Sequence, residues 1–320
     1  MNDTTTLSSR REVLFLYDIR MGNPNGDPDE NRPRSLPDGR FYVTDVRLKR
    51  FVRDYVASQG HEILVGNIEG HTTNLTGRVA HHLEQHDKKE ADGAELVDIL
   101  LDAFIDARWF GSSLAFKKEG GKSRDWKPEP KTLTGAMQFN MGECLHQAEE
   151  IQIQGTSVFG SDEEKSQGTF TGYAALRYGM FAFNGVANQH SAKVSRMTDQ
   201  DYEALLIALW NGVRSAGNTR TKVGQVPRML ISVEYKPEEE FQFGNLIDYI
   251  QTHPAADKPE EEWASPRDYQ LDLSLLKQRL DGQRTRIARI RFEASPDIAY
   301  VGDGDPGEDW EPLHIDTPGS

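Results

Sequence analysis

Two amides and two guanidiniums, Asn23, Asn25, Arg32 and Arg34, fall within residues 22–34, the run Gly-Asn-Pro-Asn-Gly-Asp-Pro-Asp-Glu-Asn-Arg-Pro-Arg. Close behind them Thr44 precedes Arg47, Lys49, Arg50 and Arg53, four cations on one short stretch. Polar loop groups followed by clustered positive charge at a helix start suit a polyanion, with guanidiniums able to grip phosphate oxygens two at a time. A third set lies at Gly217-Asn-Thr-Arg-Thr-Lys-Val-Gly224. There Asn218, Arg220, Lys222 and a row of backbone N–H groups have the makings of a phosphate cradle, although a helix C-cap turn accounts for the same glycines. The run lacks the Gly-Lys-Ser/Thr ending of a nucleotide-binding loop.

Other clusters fall short of chemistry. Asp27-Pro-Asp-Glu-Asn31 resembles the opening of a calcium loop, but Arg32 stands where glycine is required and no glutamate closes the loop. His81, His82 and His86 include an i,i+4 pair without further clear ligands, which reads as a solvated helix or loop. Gly302-Asp-Gly-Asp-Pro-Gly is an acidic turn, and no HExxH or GxSxG sequence occurs. No histidine falls in either basic stretch to act as a general base. Neither a metal nor a cofactor is expected. Phe181-Ala-Phe183 has the spacing of an aromatic base-stacking platform but also that of an ordinary core strand.

The elements that carry these residues follow from apolar periodicity. Val13–Ile19 reads as a core strand, and the loop 22–34 joins it to a helix over Thr44–Val56, with Thr44-Asp45 as N-cap pair. Val46, Phe51, Val52, Tyr55 and Val56 form its expected apolar stripe, leaving Arg50 and Arg53 on the surface. Residues 61–93 are polar, Ala94–Phe104 is helical, 119–131 is a charged loop and Thr132–Leu145 a strand region. Residues 155–173 read as a projecting hairpin or loop. Strand Tyr178–Ala187, a helix starting at Thr198, the glycine-rich turn 215–225 and strand Met229–Tyr235 follow, then a helix over Leu271–Leu280 and a last strand over Arg284–Phe292. Strand, helix, strand, strand, helix, strand is the order of a ferredoxin-like or RRM-like core, so the fold class is α+β, one domain over 1–320 with long insertions.

The chain has 320 residues and a net charge of −14, at first sight unsuited to nucleic acid. The acids are segregated, however. Residues 237–263 and 295–320 contribute −7 each, an acidic insertion and an acidic C-terminal tail, and the remainder is neutral overall. Within that remainder, residues 214–236 hold Arg214, Arg220, Lys222, Arg228 and Lys236 against Glu234 alone. The single cysteine, Cys144, excludes an internal disulfide and a paired-cysteine metal site, and no run approaches the length of a membrane span. A reducing cytoplasm is the compartment expected.

Phe15-Leu-Tyr-Asp-Ile, Gly22-Asn-Pro-Asn-Gly-Asp-Pro, Asn31-Arg-Pro-Arg and Thr44-Asp-Val-Arg-Leu-Lys-Arg together resemble the opening of the CRISPR "Cas-seven" proteins, in the Csh-type group of type I-B systems. Thr134-Gly-Ala-Met-Gln-Phe and the 217–224 loop look like later blocks of that family. The resemblance implies a non-catalytic subunit that polymerises along a CRISPR RNA in the Cascade interference complex. It further implies a palm that grips the RNA backbone, a finger at about 60–131 and a thumb at about 155–173. Partners implied are the guide RNA, the target DNA strand paired to it, further copies of the chain, and Cas-five, Cas-six and large subunits. RNA contacts are implied for Asn23, Asn25, Arg32, Arg34, Thr44, Arg47, Lys49, Arg50, Arg53, Asn218, Arg220 and Lys222. The alternative the resemblance leaves is a metal-dependent RNA-cleaving backbone subunit of the type III kind, with Asp27 or Asp29 in the cleaving role.

Overall fold

A computed structural model describes residues 6–68, 70–87, 91, 93–116, 131–156, 170–217, 219, 221–302, 304–306 and 310–315. The first half of the chain forms β1 (Arg11–Gly22), β2 (Tyr42–Val43), α1 (Asp45–Ser58), α2 (Leu75–Gln85), α3 (Gly93–Ala103) and α4 (Ile105–Phe110). Short strands β3 (Gly111–Ser113), β4 (Thr132–Thr134), β5 (Met137–Phe139) and β6 (Gly142–Cys144) lead to β7 (Glu150–Thr156) and the long β8 (Phe170–Ala187). Then come α5 (Gln189–Ser195), α6 (Asp199–Ser215), β9 (Gln225–Tyr235), β10 (Gln251–Pro254), β11 (Tyr269–Asp272), α7 (Ser274–Gly282), β12 (Ile287–Ala294) and β13 (Glu311–Pro312).

A nine-stranded sheet organises the chain, in the order β13-β12-β9-β1-β8-β6-β2, with β5 and β7 also pairing along β8. Its pairs are antiparallel except β12–β13. The apolar run of β1 is explained by its central place. Val13, Phe15, Tyr17 and Ile19 enter a core roofed by α1 and α6, and Leu14 and Leu16 enter a second core on the opposite face. Phe181 and Phe183 are fully buried and pack with Tyr17, so the pair is core.

The second core is covered by the chain after β9, and the acidic segment 237–263 contributes to it. Leu246, Ile250 and Trp263 of that segment are buried there with Tyr269, Leu271 and Leu276 beyond it, while the acids of 237–263 stay outside. Glu12, fully buried on β1, accepts hydrogen bonds from the backbone N–H groups of Phe243 (2.8 Å) and Gly244 (2.9 Å), which pins this segment to the sheet. Tyr269 and Leu271 alternate inward on β11, so the helix expected over Leu271–Leu280 begins only at Ser274. Part of the expected acidic tail is ordered by β13 and by buried Trp310.

Residues 61–93, read as polar, contain α2, whose Val79 and Leu83 share a third cluster with Leu96, Leu100 and Phe104. His82 is not solvated as expected: it is buried against Phe104, with Nδ1 2.6 Å from Glu62, and burial pulls its pKa below the ordinary histidine value.

Helix α1 differs from its sequence reading in two ways. Its inward stripe is Leu48, Phe51, Val52 and Val56, and Val46 is 67% exposed, because Leu48 rather than Val46 has the four-residue spacing to Val52 and Val56. Gly212 lets α6 approach: a Cβ there would lie 2.7 Å from the Phe51 carbonyl oxygen. Arg53, expected on the surface, is buried, because its Nε donates to Asp106 on α4 at 2.8 Å. Asp106 also accepts from the backbone N–H of Leu64 (2.6 Å) and Val65 (3.1 Å). One carboxylate thus fastens α1, α4 and the 63–66 turn.

Removing one partner of such a pair strands a buried charge. Arg53→Met is therefore expected to lower unfolding stability by roughly 3–5 kcal/mol. Urea titration checks it, and a double-mutant cycle with Asp106→Asn should return strong coupling between the two sites.

Candidate nucleic-acid interface

The loop after β1 is bound to α1 through an amide. Asn25 Oδ1 accepts from Thr44 N (2.8 Å) and Thr44 Oγ1 (2.9 Å), and Thr44 Oγ1 accepts from Arg47 N (3.2 Å) as N-cap of α1. The loop, the cap and the first basic residue therefore form one chain of hydrogen bonds.

The backbone of Asn23 joins this loop to the turn between α6 and β9, and its side chain braces the loop itself. Asn23 N donates to Thr221 O at 2.9 Å, Asn23 Nδ2 to Asn31 O at 2.6 Å, and Lys222 Nζ donates to Asn23 O. Gly22 has to be glycine here, since a Cβ would meet Thr221 O at 2.7 Å. Sequence positions 199 apart are so brought together, and the two basic stretches meet at one end of the sheet. Asn218 and Arg220, expected in the same set, lie outside the described residues.

The cations divide by their partners. Arg32 is held by Glu150 (2.9 Å), Lys49 by Asp45 (2.9 Å), Arg50 by Asp54 (2.8 Å) and Arg53 by Asp106 (2.8 Å). Arg34, Arg47 and Lys222 have no carboxylate within ion-pair distance among the described residues, and neither does Arg20 at the end of β1. Arg34 Nε donates to the Gly26 carbonyl at 3.4 Å, and the Arg47 guanidinium lies 4.4 Å over the Phe51 ring with its Nε buried and unpartnered.

The electrostatics follow from that imbalance. Burial, then the neighbouring Arg47 charge, push the Lys222 amine down to about 7 from an ordinary lysine value. Burial likewise lowers Arg47. Two cations held close together and away from water gain most from an anion that replaces the missing counter-charge.

Beside them, Asp27, Asp29, Glu30, Arg32, Arg34 and Glu150 line an open groove of about 460 Å³, in which the acid pairing falls on Arg32. Asp27 accepts the backbone N–H groups of Asp29 (2.9 Å), Glu30 (2.7 Å) and Arg32 (3.1 Å), and these bonds hold its carboxyl below the usual range. It shapes the loop. Among the described residues no group of three His, Cys, Asp or Glu side chains could hold a metal ion.

Arg20 is the member that the sequence reading misses. Val13–Ile19 stops short of the strand's C-terminal end, whereas Arg20 continues β1 and pairs with Tyr178. Its single charge after an apolar strand is the signal that could have found it.

The chain matches the family model for CRISPR-associated protein Cas7 over residues 9–274. A CRISPR-associated protein Cas7 of Haloferax volcanii is 34% identical over 314 residues, covering 94% of this chain and 88% of that one. Among solved structures, a chain of a CRISPR RNA-guided surveillance complex in a pre-nicking state aligns with TM-score 0.52 and 12% identity over 95% of this chain and 96% of that one. A chain of another CRISPR RNA-guided surveillance complex aligns with TM-score 0.49 and 13% identity, over 92% and 95%. A family match spanning most of the chain, with a relative of that identity along nearly its whole length, establishes that this chain belongs to the CRISPR-associated Cas7 family.

Proposed function

We propose that this chain is the guide-RNA-binding backbone subunit of a type I CRISPR interference complex, polymerising along the spacer of the RNA as Cascade assembles. The observation that carries the reading is the convergence of Arg20, Arg34, Arg47 and Lys222 at one sheet end, without carboxylate partners among the described residues, in a chain of net charge −14. Cations left uncompensated in so acidic a protein are poised for phosphate. Gripping phosphates and leaving bases unread suits a subunit that must accept any spacer, with target recognition left to pairing.

The sheet order supports a ferredoxin-like or RRM-like palm. Strands β9-β1-β8-β6, all antiparallel, with α1 after β1 and α6 between β8 and β9 on one face, follow the 4-1-3-2 arrangement of that core. The separate cluster formed by α2 and α3 supports a finger at about 60–131. The thumb is assigned to about 155–173, where residues 157–169 lie outside the described residues. In this reading Asn23, Asn25 and Thr44 shape the grip. Arg20, Arg34, Arg47 and Lys222 hold phosphate, and Arg32, Lys49 and Arg50 join by exchanging their acid partners. Arg53 acts through α1 packing. Asn218 and Arg220 belong to the same grip by sequence. The guide RNA, its paired target strand, neighbouring copies, and the Cas-five, Cas-six and large subunits are the partners. The Csh-type assignment rests on the opening sequence block.

A non-catalytic role is favoured over the type III kind of RNA cleavage because the Asp27 carboxylate is occupied by three backbone N–H groups. Purifying the chain from a co-expression strain and sequencing its bound nucleic acid, with and without magnesium, tests the reading. Intact repeat-spacer RNA of uniform length with several copies of the chain is expected; magnesium-dependent shortening would favour cleavage instead.

Arg47→Glu should weaken binding of every RNA sequence alike and reduce the slope of log K against log salt by about 0.7 for each phosphate no longer neutralised. A weakening confined to one RNA sequence would contradict backbone recognition. A pH dependence follows from Lys222. The free amine is charged below about 7, and a bound phosphate raises its pKa, so binding takes up a proton above that pH. Affinity is therefore full below pH 7 and falls as pH rises, by about ten-fold between pH 7 and 8.5. Lys222→Arg, always charged, should flatten the profile when binding is followed by fluorescence anisotropy.

A further inference from the structure

At the lip of this grip the chain exposes three large apolar side chains that nothing among the described residues covers: Met21 at 47%, Val46 at 67% and Val223 at 58%. Their positions are linked. In the β1–β9 ladder Ile19 pairs with Gln225. Beyond the ladder the two segments stay hydrogen-bonded, Arg20 N donating to Gly224 O (3.4 Å) and Asn23 N to Thr221 O (2.9 Å), while the left-handed Met21 interrupts the regular alternation. Met21 and Val223 therefore both lie in the stretch bracketed by these two bonds. Val46 lies on the first turn of α1, next in sequence to Arg47.

Met21 also adopts a left-handed backbone, with φ of 52°, which costs any residue but glycine and is tolerated best by asparagine or aspartate. A methionine is held there in a costly conformation and in water. Arg20, next to it in sequence, and Lys222, next to Val223, have no carboxylate partner among the described residues. Apolar atoms flanked by uncompensated cations match a ligand that is itself apolar on one face and anionic beside it. A nucleotide has that composition, a flat base or sugar face joined to a phosphate.

We propose that Met21 and Val223, with Val46 at the edge, form a ledge against which one base or ribose face of the bound strand packs while Arg20, Arg47 and Lys222 hold the adjoining phosphates. This rests on the RNA-binding reading and deepens it: the grip has a part that salt does not screen. The ledge discriminates no base, since every base presents a face, and methionine adapts to each of them.

The test uses the full chain with a single-stranded RNA carrying 2-aminopurine at successive positions. Met21→Asn keeps a residue that accepts the left-handed backbone, and Val223→Thr keeps the shape, so the double variant removes the apolar surface and spares the fold. Its RNA affinity should fall about ten-fold, with the slope against salt unchanged and the 2-aminopurine signal altered at one position per bound subunit. Met21→Leu should retain wild-type affinity. Unchanged affinity and signal in the double variant, with the wild type binding RNA in a salt-dependent way, would overturn the ledge and leave the phosphate grip standing. A wild type that binds no RNA would overturn both. Altered self-association of the double variant without RNA, at intact RNA affinity, would assign the ledge to a second copy of the chain and likewise overturn the proposal.

Discussion

A neutral hydrogen bond, from Thr44 to the amide oxygen of Asn25, is the interaction on which the site depends. It ties the long loop to the start of α1 and passes through the Thr44 hydroxyl to Arg47 N. An aspartate at position 25 would accept the same two hydrogen bonds and cap the helix with a favourable charge. It would also add a carboxylate at the N-cap that precedes Arg47 and supply an internal counter-charge there. At Asn23 it is the backbone carbonyl, rather than an acid, that receives Lys222, while the side-chain amide donates to Asn31 O, a bond no carboxylate could make. Amides and a hydroxyl thus take the structural part that carboxylates take elsewhere in this protein, and the charge of the cations is left available.

That choice costs stability where it is made. A lysine pushed to about 7 and an arginine with a buried, unpartnered Nε are groups whose charge the free protein accommodates poorly. The cost is tolerable because the surroundings are rigid. Tyr17, Phe51 and Phe183 pack beneath, and α1 is fixed independently by the Arg53–Asp106 pair. Local strain concentrated at a binding site and supported by a packed scaffold is the general pattern for preorganised recognition.

Much of this is legible in the chain. The turn-former density of 22–34, the N-cap at Thr44 and the capping box at Thr198 are local signals, and local chemistry fixes those elements. Which cations are free is only partly legible: Lys49–Asp45 and Arg50–Asp54 are i,i+4 pairs, but other pairings are decided by contacts distant in sequence. Arg53 meets Asp106 and Arg32 meets Glu150, and no pattern along α1 or the loop distinguishes them from Arg47. Val46 misleads for another reason: Leu48 is flanked by cations and so hides in a basic stretch, although its spacing to Val52 and Val56 is the better helical period. The second core is hidden because charge dominates the composition of 237–263, whereas Leu246, Ile250 and Trp263 decide how it packs.

Charge segregation by face follows from the same division. The sheet has two buried faces, and the acidic segment 237–263 contributes Leu246, Ile250 and Trp263 to the cover of the one opposite α1 and α6. A single layer of strands therefore lies between the acidic cover and the helices whose ends bear the free cations. The interaction of like or unlike charges falls with distance and is screened within about 8 Å at physiological salt, so acids on the far side of the sheet weaken the grip little. They still give the protein a negative net charge, which opposes adventitious binding to other polyanions. Attraction of an anion is then confined to contact with Arg20, Arg47 and Lys222, the cations without carboxylate partners among the described residues, because elsewhere it meets an acidic surface. An acidic protein with a small uncompensated cationic site is in this sense more selective for a strand correctly placed than a uniformly basic one would be.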